Sequence, residues 1–594
     1  MHNGTRVVDH LVRAISALGV RHLFGVGGAN IEDLYDAAHD HRRLLTAVVA
    51  KHEFAAATMA DGYARSTSGL GVVAATSGGG AMNLLPGLAE SYASRVPVLA
   101  LIGQPPTVLE GKGAFQDTSG QAGAIDAVRL FTPVSHYCAR VDAPADLPAH
   151  LTRAVLAARG DDPETGGHGG GPAILLLPKD IQRADLLAPD FAPPPRAHRP
   201  PAASLHRVTE TLRAARALGH VLIIAGAQVA RDDARAELAE LARTLDAAVA
   251  VCPDAMDVYH HADPGFRGIT GSMGHAQARA ALESAALCLL IGTRLPLTDR
   301  AGLEDALDAV PLAGIGAEIP FLPSIHAHAA DLAVTLADLS AALRPPVPVA
   351  VLAVGERPGS AAREPLSERA SVGESTEPGP RTAVLSAREV PPATGPGLRY
   401  LQVIEAINSE LPAGTDVFAD AGNTGAAVVH HLRLPRGGRF TVALGMGGMG
   451  YAFGAGIGSA FARHRRGDGG LRRTVVIAGD GAFYMHGMEI HTAVEHRLPV
   501  TFVLLNNNAH AMCVTREQLY YRDRYSFNRF RPANPGAGLA AMFPDLCTRA
   551  PATPAELRAA LRHCLGSPGP SCIAIECDPD EIPPFTPFLT APRR

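Results

Sequence analysis

The sequence predicts an α/β fold of three doubly wound domains built on parallel sheets, and three observations lead to this prediction. Short apolar, β-branched runs such as 474–478 (TVVIA) and 500–505 (VTFVLL) alternate with helix-compatible segments. Glycine, aspartate and asparagine follow these runs where strands should end. The length of 594 residues accommodates three or four domains of about 150 residues each. We therefore expect three such domains and a linker.

The composition excludes several classes of protein. Hydrophobic residues make up 47% of the chain and charged residues 19%, which excludes general disorder, and no apolar run reaches the ~20 residues of a membrane helix. Basic and acidic residues are interleaved and the net charge is −5, so we expect small-molecule partners and no nucleic acid. The eight cysteines form no C-x-x-C pair, and the N-terminus shows no secretory signal. We expect a cytoplasmic protein without a membrane span.

One βαβ unit organises the C-terminal part of the chain. A right-handed crossover makes its two strands parallel, so Asp480 and Asn507 project from carboxyl ends at the same edge of the sheet. Gly479 and Gly481 let the backbone approach an anion closely. The Asp480 carboxylate, the Asn507 amide oxygen and a loop carbonyl are hard ligands suited to Mg²⁺, with diphosphate oxygens and water completing its coordination. Ordinary turns after two strands would explain the same residues if they stood alone.

The spacing in this unit resembles a known cofactor signature. Gly-Asp-Gly, 24 residues and Asn-Asn are similar to the signature of thiamine-diphosphate (ThDP) enzymes of the acetolactate synthase-like family. The resemblance implies that Asp480, Asn507 and the main-chain carbonyl of Ala509 bind Mg²⁺, and that Met449 supports a bent cofactor. It implies further cofactor contacts at Gly422, Asn423, Thr424, Gly447, Gly479, Asp480, Gly481, Ala482, Asn507 and Met512.

A second block, at 44–118, resembles the pyrimidine-binding domain of the same family. It contains KHEFAAATMADGYAR, the turn TSGGGAMN and GAFQDT in the family's order. The resemblance implies that Glu53 is the catalytic glutamate, that Asn83 lies beside the cofactor, and that Phe115 and Gln116 line the reaction chamber. A carboxyl at this place can exchange a proton with the N1′ nitrogen of an aminopyrimidine, which promotes removal of the thiazolium C2 proton. Taken alone, Glu53 would be an ordinary first-turn carboxylate favoured by the helix dipole.

The domain boundaries follow from these blocks and from changes in composition. We predict an N-terminal pyrimidine-binding domain at 1–190, a central α/β domain at 200–345, a flexible linker at 346–396 and a diphosphate- and Mg²⁺-binding domain at 397–594. The central domain carries FAD in several relatives. Here GTRLPLTDRAG only partly matches the expected pattern, and AGIGAEIP lacks an acidic strand end. The sequence thus favours a central domain without FAD, with bound FAD as the alternative.

The resemblance implies a ThDP- and Mg²⁺-dependent enzyme. It would decarboxylate a 2-oxo acid, with pyruvate as the donor, and ligate the resulting acyl carbanion equivalent to an acceptor carbonyl. Simple decarboxylation and an oxidase-like outcome are the alternatives within enzymes. A non-catalytic homologue would require loss of Glu53, Asp480 or Asn507, and all three are present. The family also implies a homodimer or homotetramer in which Glu53 of one subunit faces the diphosphate-binding domain of another.

Arg516 is relevant to the chemical identity of the second substrate. Counted from Asn507, it stands where acetolactate synthases carry a tryptophan that shapes the acceptor pocket, and this chain contains no tryptophan. A guanidinium offers fixed paired donors to a carboxylate or phosphate. We therefore predict an additional anion on the acceptor or on the far end of the donor. The alternative is that Arg516 points to solvent, as a surface charge like Arg522 and Arg524.

Overall fold

Three six-stranded sheets, each with only parallel strand pairs, form the frame of the chain. The computed structural model describes residues 5–165, 169–187, 191–195, 203–344, 385–463 and 472–590. Helices make most of the connections between consecutive strands, as is usual for parallel pairs; the described connections at 252–265 and 317–324 contain no helix. The predicted α/β class is confirmed, and each of the three predicted domains contains one sheet.

The first sheet lies within residues 5–187. Its elements are Thr5–Arg6 (β1), Val7–Ala17 (α1), His22–Val26 (β2), Glu32–Asp40 (α2), Thr46–Val49 (β3), Glu53–Thr67 (α3), Gly71–Ala75 (β4), Gly79–Ala93 (α4), Val98–Gln104 (β5), Ala127–Phe131 (α5), Tyr137–Arg140 (β6), Leu147–Arg159 (α6), Pro172–Pro178 (β7), Lys179–Arg183 (α7) and Asp185–Leu186 (β8). The strand order is β3-β2-β4-β5-β7-β6, and β1 pairs with β8 outside this sheet.

The second sheet lies within residues 203–344. Its elements are Ala203–Leu218 (α8), Val221–Ala225 (β9), Ala227–Arg231 (α9), Arg235–Leu245 (α10), Ala248–Val251 (β10), Phe266–Ile269 (β11), Ala276–Glu283 (α11), Leu287–Ile291 (β12), Leu297–Arg300 (α12), Glu304–Ala309 (α13), Leu312–Gly316 (β13), Ile325–His328 (β14) and Leu332–Leu343 (α14). The strand order is β11-β10-β9-β12-β13-β14, which is that of dinucleotide-binding folds.

The third sheet lies within residues 400–590. Its elements are Tyr400–Glu410 (α15), Asp416–Ala419 (β15), Gly422–His431 (α16), Phe440–Val442 (β16), Tyr451–Arg463 (α17), Thr474–Gly479 (β17), Asp480–His486 (α18), Ile490–Glu495 (α19), Val500–Asn506 (β18), Ala511–Tyr521 (α20), Pro535–Met542 (α21), Cys547–Arg549 (β19), Pro554–Gly566 (α22), Ser571–Glu576 (β20) and Thr586–Leu589 (α23). The order β16-β15-β17-β18-β20-β19 repeats the pattern of the first sheet.

The first and third domains pack through helices α3 and α17. Glycines of each helix meet the backbone of the other: Gly62 lies against the Ala455 carbonyl, and Gly458 lies against the Met59 carbonyl. A side chain at either glycine would overlap backbone atoms, so the close approach needs the small residues of both helices. Asp61, fully buried in this contact, accepts hydrogen bonds from partners that include Tyr451 of α17. This contact fixes the domain that bears Glu53 on the domain that bears Asp480.

Part of the predicted linker is anchored. Residues 345–384 lie outside the described residues, but 385–396 contact the folded domains. The Arg388 N–H donates to His430 Nε2 over 2.9 Å, and the Gly395 N–H donates to Asp578 Oδ2 over 2.6 Å. The last part of the predicted linker is therefore bound to the third domain.

Across the described part of the chain, no helix combines the length and the apolar character that crossing a bilayer demands.

Candidate active site

The candidate site lies at the carboxyl edge of the third sheet, beside the point where the strand order reverses. Strands β15, β17 and β18 are neighbours there, and open parallel sheets bind ligands at such switch points. The register pairs Gly479 with Leu505, so Asp480 and Asn507 follow neighbouring strand ends. The Asn507 N–H lies 3.5 Å from Asp480 Oδ1. The structure thus brings the two predicted side-chain ligands together.

Asp480 is a buried carboxylate without a cationic partner among the described residues. It is 1% exposed and accepts from the backbone N–H groups of Asn507 and, over 3.2 Å, Ala509. Burial raises the pKa of Asp480 to about 6, although these N–H donors act in the opposite direction. A bound cation would offset the cost of desolvating this charge.

The Asn507 amide is oriented by two hydrogen bonds. Its Nδ2 donates to the Tyr400 hydroxyl over 3.3 Å, and its Oδ1 accepts from the Ala509 N–H over 3.2 Å. Because the same N–H contacts both Asp480 and Asn507, the carboxylate and the amide oxygen lie side by side. These two oxygens and the neighbouring backbone form an oxygen-rich corner that suits a hard divalent cation.

Three helix N-termini converge on this corner. Helices α16, α18 and α20 begin at Gly422, Asp480 and Ala511, and none has a side-chain cap. Uncapped first turns leave backbone N–H groups free and carry a partial positive charge. Together they make a site for a polyanion such as a diphosphate.

A cavity of about 360 Å³ opens over these helix ends. Asp480 is the only acidic side chain among the described residues that line it. The predicted residues that line it are Gly422, Asn423, Thr424, Gly447, Met449, Gly479, Asp480, Gly481, Ala482, Asn507, Ala509, Met512 and Arg516. Asn423 Oδ1 is buried without a partner in the described part of the protein, which is costly unless a ligand supplies one.

The glycine-rich turn before α17 shapes one wall of the cavity. Asp420, buried at the end of β15, accepts from the N–H groups of Gly450 and Ala452, both over 2.9 Å. Gly450 has a φ of +86°, which disfavours any residue with a side chain. The Met449 methyl lies 3.2 Å from where a Cβ on Gly481 would stand. Met449 therefore reaches over the start of α18.

The predicted pyrimidine-side residues form a second cluster in the first domain. Asn83 Nδ2 donates to Glu53 Oε2 over 2.9 Å, and Thr76 Oγ1 donates to Gln116 Oε1 over 3.2 Å. Asn83 is exposed, and Phe115 is 75% exposed. The structure brings Glu53 and Asn83 into contact on an open surface.

The Glu53 cluster does not contribute to the lining of the cavity in the third domain. None of Glu53, Asn83, Phe115 and Gln116 is among the described residues that line the cavity of the third domain. Among the described residues, the Glu53 cluster and the cavity of the third domain are therefore lined by different side chains.

The central domain supplies part of the cavity wall, which the sequence did not predict. Ser272, Met273 and Thr298 line the cavity. His430, near the end of α16, donates from Nδ1 to the Met273 carbonyl over 2.9 Å and so holds this wall in place. Burial lowers the pKa of His430 to about 4, which keeps the ring neutral for this role. No local pattern around residue 272 signals the contact, since its partner lies about 160 residues away.

At the carboxyl edge of the second sheet, a buried glutamine side chain joins several turns. Gln228, 4% exposed, accepts at Oε1 from the Ala317 N–H and donates from Nε2 to the Ala329 carbonyl, both over 2.9 Å. It thereby ties together the turns that follow β9, β13 and β14. A cavity of about 420 Å³ remains beside it at the junction of the three domains, lined by arginine and aspartate side chains.

Three segments of the chain match families of known domains. Residues 5–124 match "thiamine pyrophosphate enzyme, N-terminal TPP binding domain". Residues 205–312 match the central domain, and residues 420–575 match the C-terminal TPP binding domain, of the same enzymes. The two TPP binding domains contain the Glu53 cluster and the Asp480 cavity.

Similarity to known sequences and solved structures extends over most of the chain. A probable acetolactate synthase large subunit of Methanocaldococcus jannaschii is 27% identical, covering 98% of this chain and 93% of that protein. Acetolactate synthase isozyme 2 large subunit of Escherichia coli is also 27% identical, covering 88% of this chain and 86% of that protein. A Rhodococcus jostii RHA1 thiamine diphosphate-dependent 4-hydroxybenzoylformate decarboxylase has a TM-score of 0.74 at 19% identity, over 97% of this chain and 99% of that chain. The fold is shared with that structure.

Proposed function

Because the chain belongs to the thiamine-diphosphate-dependent enzymes of the acetolactate synthase-like family, we propose that it decarboxylates a 2-oxo acid, with pyruvate as donor, and ligates the remaining unit to an acceptor carbonyl. The observation that carries this proposal is the cavity over three uncapped helix N-termini, with Asp480 and Asn507 at its base and Arg516 on its wall.

The residues present fit the cofactor and its metal. The free N–H groups at the starts of α16, α18 and α20 would hold the diphosphate. Asp480, Asn507 and the Ala509 carbonyl would hold Mg²⁺, because they offer oxygen ligands and the buried Asp480 has no cationic partner among the described residues. When bound, ThDP supplies the nucleophilic carbon and the electron sink that allow CO₂ to leave a 2-oxo acid.

Glu53 is the residue we propose to move the proton. Glu53 is the first residue of α3. The N–H of the next residue, Phe54, donates to the His52 ring, so the Glu53 carboxylate is not the cap of its own helix. Asn83 donates to Oε2 and fixes the orientation of the carboxyl. The other oxygen, Oε1, is then available to hold or accept a proton from a pyrimidine nitrogen.

The reaction itself is tested by product analysis. The purified protein with ThDP and Mg²⁺ should release CO₂ from pyruvate, and a second carbonyl compound should appear in a new ligated product identified by mass spectrometry. Release of the free aldehyde alone, whatever acceptor is added, would instead make the protein a simple 2-oxo acid decarboxylase. Absence of CO₂ from a panel of 2-oxo acids would reject both.

Arg516 is proposed to recognise an anionic group of the substrate. It lies on α20, lines the cavity, and forms no ion pair among the described residues. Replacing Arg516 by Leu should raise KM for an acidic substrate about ten- to a hundredfold, because a charge-assisted hydrogen bond contributes about 1.5–3 kcal/mol. A neutral analogue should be unaffected.

Arg524→Leu is the matched control, since Arg524 is exposed on the same segment and does not line the cavity. Equal effects of Arg516→Leu on charged and neutral substrates would show that Arg516 is a surface or scaffold residue.

We propose that the enzyme is a homodimer or a homotetramer with each site shared between two chains. The exposed Glu53 cluster and the separate cavity of the same chain support this arrangement. Equal amounts of Glu53→Gln and Asp480→Ala chains, mixed under subunit exchange, should regain about a quarter of wild-type activity, because half the dimers then hold one intact site of two. No recovery, or an active monomer by light scattering, would contradict the shared site.

The central domain is proposed to lack FAD, because the Gln228 side chain ties together the turns at the carboxyl edge of its sheet. The purified protein should show no flavin absorbance, and its activity should not respond to added FAD.

A further inference from the structure

The backbone immediately before Glu53 is held by a carboxylate from the third domain of the same chain. The Lys51 N–H donates to both oxygens of Glu489, over 3.0 and 3.2 Å. Lys51 lies between the end of β3 and Glu53 at the start of α3. Glu489 therefore fixes the backbone two residues before the start of α3.

Burial of the Glu489 carboxylate carries an unfavourable free energy of desolvation. It is 2% exposed, and within the described residues it forms no ion pair; its other side-chain partner is the Thr492 hydroxyl, which donates over 2.6 Å. A buried carboxylate held by neutral donors contributes little to stability compared with an apolar residue of the same volume. Its position against Lys51 gives it a role that an apolar side chain could not fill.

His486 supports the same segment from the end of α18. Its ring stacks on Phe54 with centroids 4.2 Å apart, and it meets the His52 ring edge-on at 5.2 Å. On its other side it packs against Gly450, where an added Cβ would lie 2.7 Å from His486 Cδ2. His486 is thus clamped between the neighbours of Glu53 and the turn that carries Met449.

Helix α18 joins these supports to the cofactor corner. It begins at Asp480 and ends at His486, a length of about 10 Å at 1.5 Å per residue, and Glu489 follows within one turn. One short rigid element therefore connects the proposed metal ligand with the backbone that presents Glu53.

We infer that Glu489, assisted by His486, is a positioning residue that sets the orientation of Glu53 and links it through α18 to the Asp480 corner of the same chain. This inference rests on the proposed role of Glu53. In a shared-site dimer, the α18 of each chain then connects its own cofactor corner with the glutamate that serves the neighbouring site.

The test compares Glu489→Gln with Glu495→Gln, the same chemical change at two partners of Lys51. Glu495 is half exposed and pairs with the Lys51 ammonium over 3.0 Å, so its loss should have little effect. Glu489→Gln places an amide beside the Lys51 N–H and should speed amide hydrogen exchange in peptides covering 46–60 at least about tenfold, with or without ThDP and Mg²⁺. It should lower kcat at least about tenfold while the ThDP affinity and KM stay within about twofold.

Unchanged exchange and kcat in Glu489→Gln would overturn the inference, and so would a fall in kcat that is accompanied by an equal loss of ThDP affinity. If Glu489→Gln fails to fold, Thr492→Val removes the hydroxyl that orients the carboxylate and should act in the same direction with a smaller effect. The exchange experiment needs no turnover. A wild-type protein inactive on every 2-oxo acid would therefore reject the proposed function without deciding whether Glu489 holds residue 51.

Discussion

Glu53→Gln is expected to keep ThDP and to lose at least about a hundredfold in turnover. The amide has nearly the same shape and can still contact Asn83, but it cannot exchange a proton with the pyrimidine nitrogen. Titration of ThDP binding, in parallel with steady-state kinetics at saturating cofactor, separates the two effects.

The matched control for Glu53 is Glu32→Gln. Glu32 is also the first residue of a helix in the first domain, where it pairs with Lys179 on the surface over 3.2 Å. Its loss should leave turnover within about twofold, because exposed ion pairs contribute about 0–1 kcal/mol. If Glu53→Gln keeps activity within a few-fold of wild type, Glu53 is an ordinary first-turn carboxylate.

Asp480→Ala is expected to fail at binding rather than at chemistry. Removing the carboxylate leaves two proposed metal ligands and no protein charge to hold Mg²⁺ beside a diphosphate, so ThDP affinity should fall at least about a hundredfold. Calorimetric titration of the cofactor with Mg²⁺ present measures the change. High ThDP and Mg²⁺ concentrations should restore part of the activity, in contrast with Glu53→Gln.

Asp545→Ala controls for the loss of a carboxylate in the same domain, since Asp545 is exposed and should leave binding unchanged. Wild-type ThDP affinity in Asp480→Ala would show that the metal is held elsewhere.

Local sequence signals predicted the parts of the fold that depend on neighbouring residues. Strands β17 and β18 extend only one residue beyond the runs 474–478 and 500–505, because β-branched runs and turn residues mark both ends of a buried strand. The contact of Asp480 with Asn507 followed from parallel pairing and crossover handedness, which leave one arrangement. The roles of these residues required the family resemblance, and the family is confirmed.

Contacts between segments that are distant in the chain could not be predicted from the sequence. The cavity wall at Ser272 and Met273 depends on a hydrogen bond from His430, and the support of Lys51 depends on Glu489 more than 400 residues later. Neither contact can be predicted from hydrophobic periodicity. Each contact involves a single residue, and the periodicity of a segment indicates only which of its own residues are buried. Arg516 shows the same limit. Its helix could be predicted, but its position on the cavity wall depends on how α20 docks.

The separation of Glu53 from the cavity of its own chain has a consequence for how activity scales with amount. If each complete site is assembled from two chains, a dilute solution contains only single chains, and each of these has incomplete sites. The fraction of chains in working sites then rises in proportion to protein concentration until association saturates. Specific activity should therefore fall on dilution even when every chain stays folded and loaded with cofactor. The cellular abundance of the protein would then act on the rate twice, through the number of chains and through the share of them that are paired.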